Sequence, residues 1–168
     1  MWQAGYRLIL WLAFPVILLR LWWRGRKEPG YRAHVAERFG YYGPPPEKPV
    51  IWLHAVSVGE TRAAEPLMSA LQLRYPDCEL LLTQMTATGR QAAEQIYGGK
   101  VRLAYLAYDY PSAVRRFLQQ FRPRLGILME TEIWFNLVRE CVLNGIRGSV
   151  NLFLGGAEDA RVYGGNRA

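Results

Sequence analysis

From residue 50 onward, short apolar runs alternate with longer amphipathic ones. Residues 50–56, 79–83, 101–106, 125–129 and 148–153 read as buried strands. Between them, 61–74, 89–97, 111–121 and 133–143 carry helical composition. Pro66 is a local irregularity in the first of these, Gly98 and Gly99 stop the second, and Pro111 opens the third. Strands alternating with helices of this length imply βαβ units and a parallel sheet. Right-handed crossovers then predict a Rossmann-like α/β body with flanking helices, its functional loops at the carboxyl ends of the strands.

The pattern differs before residue 50. Residues 8–23, LILWLAFPVILLRLWW, are apolar but interrupted by Pro15 and Arg20. A spanning helix needs about 20 apolar residues, so this run is short for one. Only Arg7 precedes it and no small-x-small cleavage site follows, which argues against a signal peptide. Trp22, Trp23, Arg24, Arg26 and Lys27 form the aromatic and basic collar of a membrane interface. The expectation for 1–28 is a shallow or re-entrant membrane-anchoring helix, with a true span and a helix buried in the domain as alternatives. Residues 31–40 read as a short helix closed by Gly40. The three prolines of 44–46 make the next stretch a stiff linker. The expected organisation is therefore 1–28 anchor, 29–49 short helix and linker, 50–150 Rossmann-like domain, and 151–168 a tail that keeps no helical period.

Composition sharpens this. At 168 residues, 51% apolar and 21% charged, the chain suits one globular domain and not a disordered one. The net charge is +7, but residues 1–40 hold seven basic side chains against two acidic. The excess sits beside the apolar run, as suits an anionic membrane surface, and not on the domain, where a nucleic-acid partner would need it. Cys78 and Cys141 give neither a disulfide framework nor metal spacing, which fits a reducing compartment.

Four loops should converge on one rim: 54–60, 83–89, 108–111 and 130–132. Ser57-Val58-Gly59-Glu60 matches the S-x-x-E capping box, yet Glu60 could equally point into the cleft as a general base. Gly59 would permit close approach of a substrate. Glu130 and Glu132 suit a helix N-terminus, but Glu130 directly follows a buried strand, where a carboxylate needs a partner or a job. Thr83, Thr86 and Thr88 fit either a capped helix start or a site for sugar hydroxyls or phosphate. His54 reads as a hydrogen-bonded core residue, and Tyr108-Asp109 as a turn capping the helix at Pro111. No GxGxxG fingerprint supports a nicotinamide or flavin site.

In order, these segments resemble one family. IWLHAVSVGETRAAEPL (51–67), LLLTQMTATG (80–89), YLAYDYP (105–111) and METEIWFNL (129–137), with ERFG (37–40) upstream, are similar to the 3-deoxy-D-manno-octulosonic acid (Kdo) transferases of lipopolysaccharide synthesis. The resemblance implies the N-terminal, acceptor half of a GT-B glycosyltransferase at the cytoplasmic face of the inner membrane of Gram-negative bacteria. Such an enzyme moves Kdo from CMP-Kdo to a lipid A precursor without metal or other cofactor. By motif match, Glu60 is the candidate general base and Glu130 a second acidic site residue. Ser57, Gly59, Thr86, Thr88 and Glu132 are candidate substrate-binding residues.

There are departures from the family pattern. The usual Thr-Thr-Met-Thr-Pro-Thr-Gly is Thr83-Gln84-Met85-Thr86-Ala87-Thr88-Gly89 here, and Trp-Pro-Asn is Trp134-Phe135-Asn136. After Asn151 the family pattern is lost, so a truncated product inactive by itself is expected. A non-catalytic, membrane-tethered lipid- or protein-binding module is the alternative, and a bare nucleotide binder the weaker third.

Overall fold

The computed structural model describes residues 2–129, 134–150 and 161–163. A long helix, α1 (Trp2–Lys27), and two 3-10 turns (Pro29–Tyr31 and Val35–Phe39) precede the sheet. Then follow β1 (Val50–His54), α2 (Val58–Ala63), α3 (Glu65–Arg74), β2 (Glu79–Gln84), α4 (Ala87–Tyr97) and β3 (Arg102–Tyr105). The body continues with α5 (Pro111–Phe121), β4 (Leu125–Leu128), α6 (Phe135–Leu143), β5 (Arg147–Val150) and β6 (Arg161–Tyr163). The sheet order is β3-β2-β1-β4-β5-β6, parallel except for β6, which runs antiparallel to β5. Through β5 this is the doubly wound order expected of a Rossmann-like sheet.

Alternate residues of β1 enter opposite faces, as the strand pleat requires. Val50 and Trp52 join Leu81, Val114, Phe117 and Phe121 on one side. Ile51 and Leu53 join Leu80, Leu82, Met68 and Ala93 on the other. Because both faces are covered, the strands read as continuous apolar runs. Trp52 needs a glycine beside it: a Cβ at Gly126 of β4 would stand 2.9 Å from the indole Cε3.

Two expectations need correcting. The helix expected over 61–74 is two helices, α2 and α3, meeting at Ala64. Pro66 has no N–H to continue the ladder from α2, but sits without cost in the first turn of α3. The helix expected over 31–40 is instead the two 3-10 turns, separated by His34 in a left-handed conformation (φ 54°). Beyond the parallel body, residues 161–163 add β6, whose Val162 pairs with Ser149.

The segment 29–49 is hydrogen-bonded and packed to the domain. Glu37 accepts the Arg90 guanidinium and the Tyr105 N–H, both at 2.7 Å. Arg116 donates twice to the Phe39 carbonyl, at 3.1 and 2.6 Å. Arg102 reaches the Pro44 carbonyl, and the Tyr42 ring packs on Phe117 and Phe121. Gly40 closes against α5 at φ 84°, where an added Cβ would meet the Ala113 carbonyl.

Helix α1 lies against this edge through Phe14, Ile17 and Leu21, a one-face spacing of three and four residues. Phe14 makes edge contacts with Phe39 and Tyr110. Trp11, Leu12, Val16, Leu19, Trp22 and Trp23 stay exposed on its other sides. Among the described residues, no helix is long and apolar enough to cross a membrane.

Candidate functional site

The carboxyl ends of β1 and β2 carry most of the expected residues that the structure describes. Ser57 is extended (φ −117°, ψ 170°) and caps α2, its Oγ accepting the Glu60 N–H at 3.4 Å. The Ser57 hydroxyl in turn donates to Glu60 Oε1 at 2.8 Å. The other carboxylate oxygen, Oε2, accepts the Val56 N–H at 2.6 Å. This is a capping box closed one residue upstream of the usual N-cap amide. Two donors occupy two of the roughly four lone-pair sites of an ionised carboxylate, so about two remain for a ligand proton. Gly59 is exposed beside it, and a Cβ there would find nothing nearer than Ser57 Oγ at 3.9 Å. Glu60 itself is half-buried, and among the described residues nothing crowds the exposed Gly59 next to it.

Thr86 caps α4: its hydroxyl accepts the Gly89 N–H at 3.0 Å and donates to the Val56 carbonyl at 3.1 Å. Thr88 is exposed and lies 3.5 Å from the Thr86 hydroxyl, toward which it donates. A hydroxyl has one proton and two lone pairs, and Thr86 has spent all three within the protein. Thr88 is the member of that pair presented to solvent.

Thr83 belongs to the core. Its hydroxyl accepts the Trp52 Nε1–H at 2.7 Å and sits 2.9 Å from His54 Nδ1. His54 Nδ1 is also 3.0 Å from the Thr83 carbonyl, which can only accept, so Nδ1 carries the proton. Burial lowers the His54 pKa to about 4, with the bond to Thr83 opposing in part. His54 is thus the hydrogen-bonded core histidine expected, bonded through Nδ1 while its Nε2 has no partner among the described residues.

Asp109 does not cap the helix at Pro111. Its carboxylate accepts the Leu137 N–H at 2.8 Å and the Asn136 N–H at 3.0 Å, so it caps the start of α6. The Asn136 side chain returns a 2.6 Å bond to the Asp109 carbonyl. Proline at the first position of α5 already lacks an N–H to satisfy. Glu130 and Glu132 lie outside the described residues, between β4 and the α6 start that Asp109 fixes. Among the described residues, no group of three His, Cys, Asp or Glu side chains could hold a metal ion.

The collar residues divide. Trp22 and Trp23 are exposed, with Arg26 4.1 Å over the Trp22 ring and Lys27 5.5 Å over that of Trp23. Arg24 instead faces Tyr31, to whose hydroxyl it donates at 3.2 Å. Val16, Leu19, Arg20, Trp22 and Trp23 line a groove of about 500 Å³. Just beyond the collar, Gly30 abuts Ala87 in the first turn of α4, where a Cβ would be 2.9 Å from that of Ala87. The collar therefore leads directly to the rim that carries Thr86 and Glu60.

Sequence reasoning missed Arg38. It is buried, its guanidinium 3.9 Å over the Tyr105 ring and within 5.7 Å of the Tyr31 and Tyr108 rings, and it donates to the Met85 carbonyl at 3.1 Å. The only signal was its place in ERFG.

These features define a parallel α/β domain with a capped acidic side chain at the carboxyl edge and an aromatic, basic helix beside it. A family model described as 3-deoxy-D-manno-octulosonic-acid transferase (kdotransferase) matches residues 33–151, and the chain belongs to that family. It is 39% identical over 150 residues to a 3-deoxy-D-manno-octulosonic acid transferase of Haemophilus influenzae, covering 87% of this chain and 35% of that protein. With the Bordetella pertussis transferase of the same name, identity is 42% over 155 residues, covering 87% and 36%. A probable mitochondrial 3-deoxy-D-manno-octulosonic acid transferase of Arabidopsis thaliana is 32% identical over 136 residues, covering 79% and 30%. The chain thus spans about a third of the length of these relatives.

Proposed function

We propose that this chain forms the acceptor side of a GT-B Kdo transferase, presenting a lipid A precursor to CMP-Kdo at the cytoplasmic face of the inner membrane. Glu60 takes the proton of the acceptor hydroxyl as that oxygen bonds to the anomeric carbon of Kdo and CMP departs with the electron pair. The observation that carries this reading is the Glu60 carboxylate, fixed by Val56 and Ser57 with lone pairs to spare beside the open surface at Gly59. Glu130 is proposed as a second acidic group on motif match alone, and Glu132, Thr88 and Gly59 as acceptor contacts. Trp22, Trp23, Arg26 and Lys27 dock α1 in the interface, which keeps a lipid acceptor within reach of the rim.

The closed capping box favours a second reading, in which Glu60 is only a cap and the chain a membrane-tethered binding module. Equilibrium binding to the purified chain in zwitterionic nanodiscs tests the acceptor role. Saturable binding of lipid A precursor, unmatched by phosphatidylglycerol, is expected. Equal binding of both lipids contradicts an acceptor site.

A further inference from the structure

Gly89 is the third residue of α4, and its φ is not in the left-handed region, so the backbone itself does not demand glycine. Inside a helix, glycine is less favourable than alanine by about 1 kcal/mol. The demand comes from across the loop. An added Cβ would stand 2.8 Å from Thr86 Oγ1 and 3.1 Å from the Val56 carbonyl oxygen. Those two atoms are the ends of one hydrogen bond, donated by Thr86 at 3.1 Å. The missing side chain therefore lets α4 close onto the backbone of the β1–α2 loop.

Val56 is held on both sides. Its carbonyl accepts from Thr86, while its N–H donates to Glu60 Oε2 at 2.6 Å. Behind it, Met85, the neighbour of Thr86, receives Arg38 through its carbonyl at 3.1 Å. The path from Arg38 through the β2–α4 loop to Val56 ends on the Glu60 carboxylate.

We propose that Thr86, enabled by Gly89, is a positioning residue: it pins the Val56 backbone to α4 so that the Val56 N–H holds the Glu60 carboxylate at the rim. The assignment takes its importance from the reading of Glu60 as base, but the arrangement can be measured without turnover. The experiment uses the full 168-residue chain and its Thr86→Val, Thr86→Ser and Gly89→Ala variants. NMR reads the Val56 amide exchange rate and the Glu60 side-chain carboxyl ¹³C shift at pH 7.5.

Loss of one hydrogen bond predicts Val56 exchange up to about tenfold faster in Thr86→Val and Gly89→Ala, with the Glu60 resonance displaced in both. Thr86→Ser, which keeps the hydroxyl, should match the parent. If Thr86 were only a helix cap, Gly89→Ala would disturb that cap but leave the Val56 amide and the Glu60 resonance unchanged. Thr86→Val would then accelerate only the first-turn amides of α4. That pattern overturns the assignment, and Gly89→Ala alone suffices to show it should Thr86→Val not fold. A displaced Glu60 signal in a protein without acceptor binding would instead leave the positioning intact and remove the proposed function.

Discussion

Acid should destabilise this fold through His54. The imidazole is 1% exposed and its proton on Nδ1 is committed to Thr83, whose hydroxyl also holds Trp52. Burial lowers its pKa to about 4, against about 6.5 in an unfolded chain. The folded value is depressed, so the unfolded chain binds the proton more readily. Stability is then full above pH 6.5 and falls as pH drops from 6.5 toward 4. A shift of this size corresponds to about 3 kcal/mol, most of it lost by pH 4.5. Urea unfolding followed by tryptophan fluorescence at pH 7.5 and 4.5 measures the loss. Carboxylates titrate in the same window, so the decisive quantity is the difference from His54→Asn, which cannot titrate. That variant should be weaker at pH 7.5 but lose about 3 kcal/mol less on acidification. An acid loss equal to the parent's would refute the reasoning.

Further outcomes follow from the packing. Gly126→Ala drives a methyl group into Trp52 and should cost about 1–3 kcal/mol in urea unfolding. Asp109→Ala strips the acceptor from two α6 amides and should cost about 2 kcal/mol, with hydrogen exchange rising first at Asn136 and Leu137. Replacing Arg26 and Lys27 by glutamine should weaken co-sedimentation with phosphatidylglycerol vesicles about fivefold per residue, and should leave the domain's melting temperature unchanged.

The body was legible because its signals are local. Helix α5 begins and ends where Pro111 and the apolar spacing put it, and the Ser57–Glu60 box spans only four residues of sequence. The contacts of segment 29–49 were not legible, because three prolines describe a stiff chain and not what the chain lies against. Its partners, Arg90, Arg102, Tyr105 and Arg116, are more than fifty residues away in sequence. Asp109 was assigned to the nearest helix, whereas it caps one that begins 26 residues later. The Thr86–Val56 bridge likewise joins positions thirty apart. Glycines carry such contacts silently: nothing local to Gly89 or Gly126 names the atoms that stand opposite them.

The central claim is that Glu60 removes the acceptor proton. The most direct measurement joins this chain to the portion of the Bordetella pertussis transferase that it does not span, and follows labelled Kdo from CMP-Kdo to lipid A precursor. Glutamine is tolerated in a capping box, so Glu60→Gln preserves the fold while removing the base. The account predicts turnover lower by about two to four decades, with acceptor KM and melting temperature nearly unchanged. Turnover within a few-fold of the parent would show that Glu60 is a cap and contradict the account.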